Sequence, residues 1–118
     1  MERVELFTVT DTSWLPAKNT QLLILRPDFP VTDGWRQLGK FEHIVTVTIV
    51  RPDERQIEAT AHISTSHINI ADPYAPIEER WRITVWFTDR PKDDVPIGSR
   101  ILVSQELRDA ILPHNAAS

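Results

Sequence analysis

At 118 residues the chain has room for one compact domain, since domains usually hold about 100–150 residues. Apolar residues at 41% and charged residues at 25% are ordinary globular proportions, which argues against a disordered chain. The absence of cysteine excludes disulfide frameworks, thiolate catalysis and Cys-ligated zinc.

Thirteen basic against seventeen acidic residues leave a net charge of −4, and the basic ones are scattered among acids. Phosphate binding needs clustered cations, so nucleic acid is a poor partner. The longest apolar run, Leu22 to Leu25, is four residues, far short of the roughly 20 that cross a bilayer. No apolar stretch follows Arg3 as a signal peptide would require. A soluble, cytoplasmic chain without membrane contact is the expectation.

Val, Ile and Thr number 32 against eight Ala and nine Leu, and β-branched side chains suit a pleated surface better than a helix. The nine prolines spare the runs 41–50, 55–70, 80–89 and 98–104, as strand interiors demand. In chain order, Val4–Thr10 alternates weakly and reads as an edge strand. Thr20–Arg26, with its four aliphatics, reads as a strand buried on both faces. Asp33–Leu38, closed by Gly39, makes a single helical turn.

Phe41–Val50 puts Phe41, His43, Val45, Val47 and Ile49 on one face. Glu42, Thr46 and Thr48 take the other, interrupted by Ile44 and Val50. Arg51–Arg55 is a turn, after which Ile57, Ala59, Ala61 and Ile63 oppose Glu58, Thr60, His62 and Ser64. Pairing Val50 with Gln56 sets Ile49 against Ile57, Val47 against Ala59 and Val45 against Ala61. Both apolar sets then share a face, which is the register a buried sheet requires. The phase changes before Ile68 and Ile70, so a bulge is expected near Thr65–Ser66.

Arg80–Thr88 alternates again, with Trp81, Ile83, Val85 and Phe87 opposite Arg82, Thr84 and Trp86. Arg100–Ser104 is a short strand. Ser104 then caps a helix over Gln105–Leu112, with Leu107, Ala110 and Ile111 as its apolar stripe and Pro113 as its stop. The sum is a predominantly antiparallel β-sandwich or partly open barrel of about six strands with a short C-terminal helix. One domain spans 1–113, and 114–118 is a flexible tail.

Glycine-rich phosphate loops, G-x-S-x-G, H-E-x-x-H and the EF-hand spacing are all missing. His62, His67 and Asp72 are the candidates for a ligand pocket, but residues five apart on a regular strand point to opposite faces. No catalytic residue, metal or cofactor is assigned. The acid pairs Asp53–Glu54, Glu78–Glu79 and Asp93–Asp94 sit beside prolines and read as turn formers.

Arg80, Arg82 and Trp86 share one face, and arginine and tryptophan are over-represented among interface hot spots. Trp14 and Trp35, expected in loops, are further contact candidates, though either could seal one end of the fold. Trp86 could equally lie beneath the C-terminal helix. The expected function is therefore a non-enzymatic module. It would bind a protein partner, or a second copy of itself, through the Arg/Trp face or through the Val4–Thr10 edge. The alternative is a small-ligand binder or enzyme using His62, His67 and Asp72.

Overall fold

The structure, a computed structural model, describes residues 3–17, 20–39, 42–67, 74 and 81–112. Seven strands form one antiparallel sheet: β1 Arg3–Thr8, β2 Asp11–Ala17, β3 Thr20–Pro30, β4 Glu42–Val50, β5 Gln56–His67, β6 Trp81–Phe87 and β7 Arg100–Ser104. Among the described residues two short α-helices, α1 Asp33–Gln37 and α2 Gln105–Ile111, accompany it. The order across the sheet is β1-β7-β4-β5-β6-β3-β2, and the sheet curls into a half-barrel. Of the two architectures expected, this is the partly open barrel.

The β4–β5 hairpin has the register that alternation demands: Val50 opposes Gln56, Ile49 opposes Ile57, Val47 opposes Ala59 and Val45 opposes Ala61. Val47, Ile49, Ala61 and Ile63 are wholly buried on the concave side, with Ile83, Val85 and Phe87 of β6 beside them. The turn between the strands closes with Arg51 N donating to Arg55 O at 2.8 Å. Nine residues at about 3.3 Å each give β4 a length near 30 Å. That is most of the molecule's 38 Å second dimension.

The two edges of the sheet, β1 and β2, are consecutive in the chain and joined only by Val9 and Thr10. Three Cα steps of 3.8 Å hold the strand ends within about 11 Å, so the sheet must curl until its edges meet there. Hydrogen bonds mark the seam. Val9 N donates to Ser99 O at 2.8 Å and Val9 O accepts from Gly98 N at 2.9 Å, both on the β7 side. Thr10 N donates instead to Arg26 O of β3 at 2.9 Å. Gly98, at φ +95°, turns the chain for this contact in a region that other residues rarely adopt.

Three departures from the sequence expectation have clear causes. Asp11–Ala17 is a strand, which makes the count seven and places Trp14 on a strand rather than in a loop. It is an edge strand, where Pro16 removes no ladder bond. β3 continues past Pro27 to Pro30 because its register with β6 shifts between Leu25 and Phe29, letting residues 26–28 arch over Thr84. The bulge expected at Thr65–Ser66 is absent. Thr65, Ser66 and His67 pair in unbroken register with Ile83, Arg82 and Trp81. Residues 68–70, which prompted that expectation, lie outside the described residues, as do 114–118.

Helices α1 and α2 pack on one another, and α2 also packs on β1 and β7. Thr32 caps α1 by accepting from Trp35 N at 3.1 Å, and its own hydroxyl donates to Ala110 O in α2. Ser104 caps α2 as expected, and Leu107, Ala110 and Ile111 are buried. The helices approach so closely that a Cβ on Gly34 would lie 3.2 Å from both Ala110 Cα and Ala110 O. Gly-to-Ala changes at compatible positions stabilise by about 0.4–1 kcal/mol. Here Thr32 pins the opposing backbone, so Gly34→Ala should instead destabilise by about 1 kcal/mol in urea unfolding.

Candidate functional site

The registers of four strands create a row on the convex outside of the half-barrel. Ile44 opposes His62, His62 opposes Trp86 and Trp86 opposes Ile24. Each alternates along its strand with residues of the core, so all four point away from it. The His62 and Trp86 rings stack at 4.2 Å with 20° between planes. Neighbouring rings on a sheet can stack only by standing off its surface. The pair is therefore a ridge that presents ring edges outward.

Polar contacts hold the ridge in place. His62 Nδ1 lies 2.7 Å from Glu42 Oε1, the carboxylate accepting from the ring N–H, and Trp86 Nε1 donates to Ser64 Oγ at 3.0 Å. Ile44 is 61% exposed at the β4 end of the row. The adjacent row, Thr46 opposite Thr60, is exposed and uncharged. Ser64 is not set up as a nucleophile. Its oxygen accepts the indole N–H, which withdraws electron density where a catalytic base would supply it. Among the described residues no group of three or more His, Asp or Glu could hold a metal ion.

Arg82 and Trp86 lie on one face of β6 as expected, but they do different things. Arg82 turns to β3, with Nε donating to Asp28 Oδ1 at 3.0 Å and Nη2 reaching Asp28 O at 3.4 Å. Trp86 stacks on His62 instead. It is half-buried by its strand neighbours and not by α2, whose apolar side joins the concave core. Arg80 lies outside the described residues. Trp14, 36% exposed, sits on edge strand β2 opposite Leu23. Trp35 is only 2% exposed and packs edge-on against His43 with ring centroids 4.9 Å apart. Its place is the plug weighed for it, sealing the end of the fold at α1.

Of the pocket candidates, His62 alone is described with its side chain. The unbroken β5–β6 ladder from Ala61 to His67 supplies no bulge to rotate residue 67 onto the face of His62. The side chain of His67 and all of Asp72 lie outside the described residues. The acid pairs behave as turn residues where described: Asp53 Oδ1 accepts from Arg55 N at 3.0 Å, and Asp94 pairs with Arg90 at 3.4 Å. Glu78–Glu79 lies outside.

Both sheet edges are blunted against strand addition. On β2, residues 12, 14 and 16 direct their backbone N–H to the same side. Thr12 N donates to Asp11 Oδ1 at 2.8 Å and Pro16 has no N–H, which leaves Trp14 alone on that side with a donor to offer. On β1 the register with β7 shifts between Glu5 and Phe7, which breaks the regular run a partner strand would follow.

Sequence reasoning named Trp86, His62 and Arg82 but passed over Ile44, Glu42, Ser64 and Asp28. Ile44 left a signal, since it interrupts the polar face of β4. Glu42 and Ser64 follow from the hairpin register once Val50 is set against Gln56. Asp28 leaves none, because it reaches Arg82 only through the register shift in β3.

Comparison with protein-family models, curated proteins and solved structures finds no match for the chain. No helix is long and apolar enough to cross a membrane among the described residues. A double-mutant cycle of His62→Ala and Trp86→Ala should give a coupling of about 0.5–1.5 kcal/mol in urea unfolding, as stacked rings do elsewhere. Additive effects would mean that the ridge is not a unit.

Proposed function

We propose that the protein is a non-enzymatic interaction module that docks a protein partner through the convex ridge Ile24–Trp86–His62–Ile44. The carrying observation is Ile44, a β-branched aliphatic 61% exposed beside a stacked Trp86–His62 pair. Tryptophan anchors many interface hot spots, and side chains already held by hydrogen bonds lose little entropy on binding. Glu42 and Ser64 provide that holding here. The blunted edges favour this face over strand addition. A chain without cysteine needs no oxidising compartment to fold, and we place the module in the cytoplasm.

Ile44→Asp is the decisive variant. Ile44 projects into solvent, so its replacement should shift unfolding by no more than about 1 kcal/mol. A partner recovered with the wild type, then purified, should bind the variant at least about tenfold more weakly. Equal affinity for wild type and variant would show that the partner contacts some other surface.

A further inference from the structure

Both side-chain N–H groups of the ridge rings are spent inside the molecule. Trp86 Nε1 donates to Ser64 Oγ at 3.0 Å, and His62 Nδ1 lies 2.7 Å from Glu42 Oε1. A neutral imidazole that donates from Nδ1 keeps its lone pair on Nε2. Nδ1 adjoins the ring carbon that carries Cβ, whereas Nε2 lies on the far side, so a ring standing off the sheet turns Nε2 outward. Nε2 has no hydrogen-bond partner among the described residues, and it is not sealed from solvent. Glu42, 41% exposed, pairs among the described residues with His62 alone, so the dyad carries one negative charge. The ridge therefore faces outward with acceptors, a lone pair beside a carboxylate, and keeps no side-chain N–H to offer.

Among the described residues, the cations of this face answer other acids. Arg26 and Arg82 both bond Asp28, Asp11 lies opposite Arg26, and Arg3 pairs with Glu58. We infer that the ridge takes an arginine side chain of the protein partner, whose guanidinium donates to His62 Nε2 and Glu42 while a neighbouring residue of the partner packs on Ile44. The inference rests on the convex-ridge reading and names the chemistry of its partner. A guanidinium carries five N–H donors in one plane, enough for both acceptors, and is more weakly hydrated than an ammonium. Ile44 stands two residues from Glu42 on the same face of β4, about 7 Å along the strand. One short segment of the partner reaches both. A second copy of the chain fits poorly, because two convex faces meet over a small area where stable interfaces bury about 800 Å² per partner.

A phage-displayed library of random dodecapeptides, selected on the intact wild-type protein, tests this directly. Enriched clones should carry an arginine within about three positions of a branched aliphatic or aromatic residue. As synthetic peptides they should lose about tenfold in affinity on Glu42→Gln, by fluorescence polarisation. Glutamine keeps the side-chain length and an oxygen for His62 Nδ1, so it removes the charge without freeing the ring. Glutamine in place of the peptide's arginine should cost as much, and the two changes together should cost little more than either alone. A purely structural role of Glu42 does not produce that coupling. His62→Phe, which keeps a ring against Trp86 and removes Nε2, should weaken the same peptides severalfold. Clones that need Ile44 but lack arginine, or that bind Glu42→Gln as tightly as wild type, would overturn the arginine contact and leave the ridge standing. Wild-type dimers that dissociate on Glu42→Gln in sedimentation equilibrium would assign the arginine to a second copy and overturn the separate partner. Failure of the wild type to enrich any clone would overturn both readings.

Discussion

Two residues hold this architecture in its shape. Val9 and Thr10 connect the outermost strands of a seven-stranded sheet, so the sheet cannot lie flat. Their hydrogen bonds divide between the two borders, Val9 with Gly98 and Ser99, Thr10 with Arg26. Curling about this seam turns one side of every central strand toward a shared core and the other outward. Val9 is itself buried at the junction, so the backbone contact is reinforced by packing. Helices α1 and α2 are clamped to each other through Thr32 and Ala110, and α2 rests on β1 and β7.

The division into two sides determines what the molecule can offer a partner. The concave side holds the core residues of β3 through β7, among them Leu23, Val47, Ile63, Val85 and Ile101, with Trp35 and α2 against them. The convex side keeps the remaining chemistry, and among the described residues several of its charged groups are paired. Arg3 pairs with Glu58, Arg82 with Asp28, and Arg100 with Glu54 and Glu5. Exposed ion pairs of this kind contribute little stability. Against that background, the stacked rings of His62 and Trp86 and the protruding Ile44 form a distinct band.

Legibility in the sequence followed local regularity. The β4–β5 hairpin could be read residue by residue, because alternation on two adjacent runs admits only one register that buries both apolar sets. Ser104 and the Leu107–Ala110–Ile111 stripe made α2 equally plain. β2 escaped notice since Trp14, Leu15 and Pro16 break alternation, and a border strand has only one neighbour to satisfy. The bulge expected at Thr65–Ser66 came from the phase of Ile68 and Ile70, which lie outside the described residues. At the site, His62 and Trp86 were visible singly. Their contact was not, for it depends on a β5–β6 register between segments separated by the whole stretch from 68 to 80. Arg82 looked like a companion for the indole because pattern reasoning has no access to β3, where its true partner lies.

The pairing of Arg3 with Ser104 has a consequence for biosynthesis. A strand made near the start of the chain must wait for one emerging near its finish before either border of β7 is complete. Topologies built on such distant partners assemble slowly and expose unsatisfied backbone in the meantime. The irregularity in β1 and the proline in β2 then have a second use on the ribosome. The first makes the waiting β1 a poor template for a neighbouring nascent chain, and the second does the same for the outer border of β2.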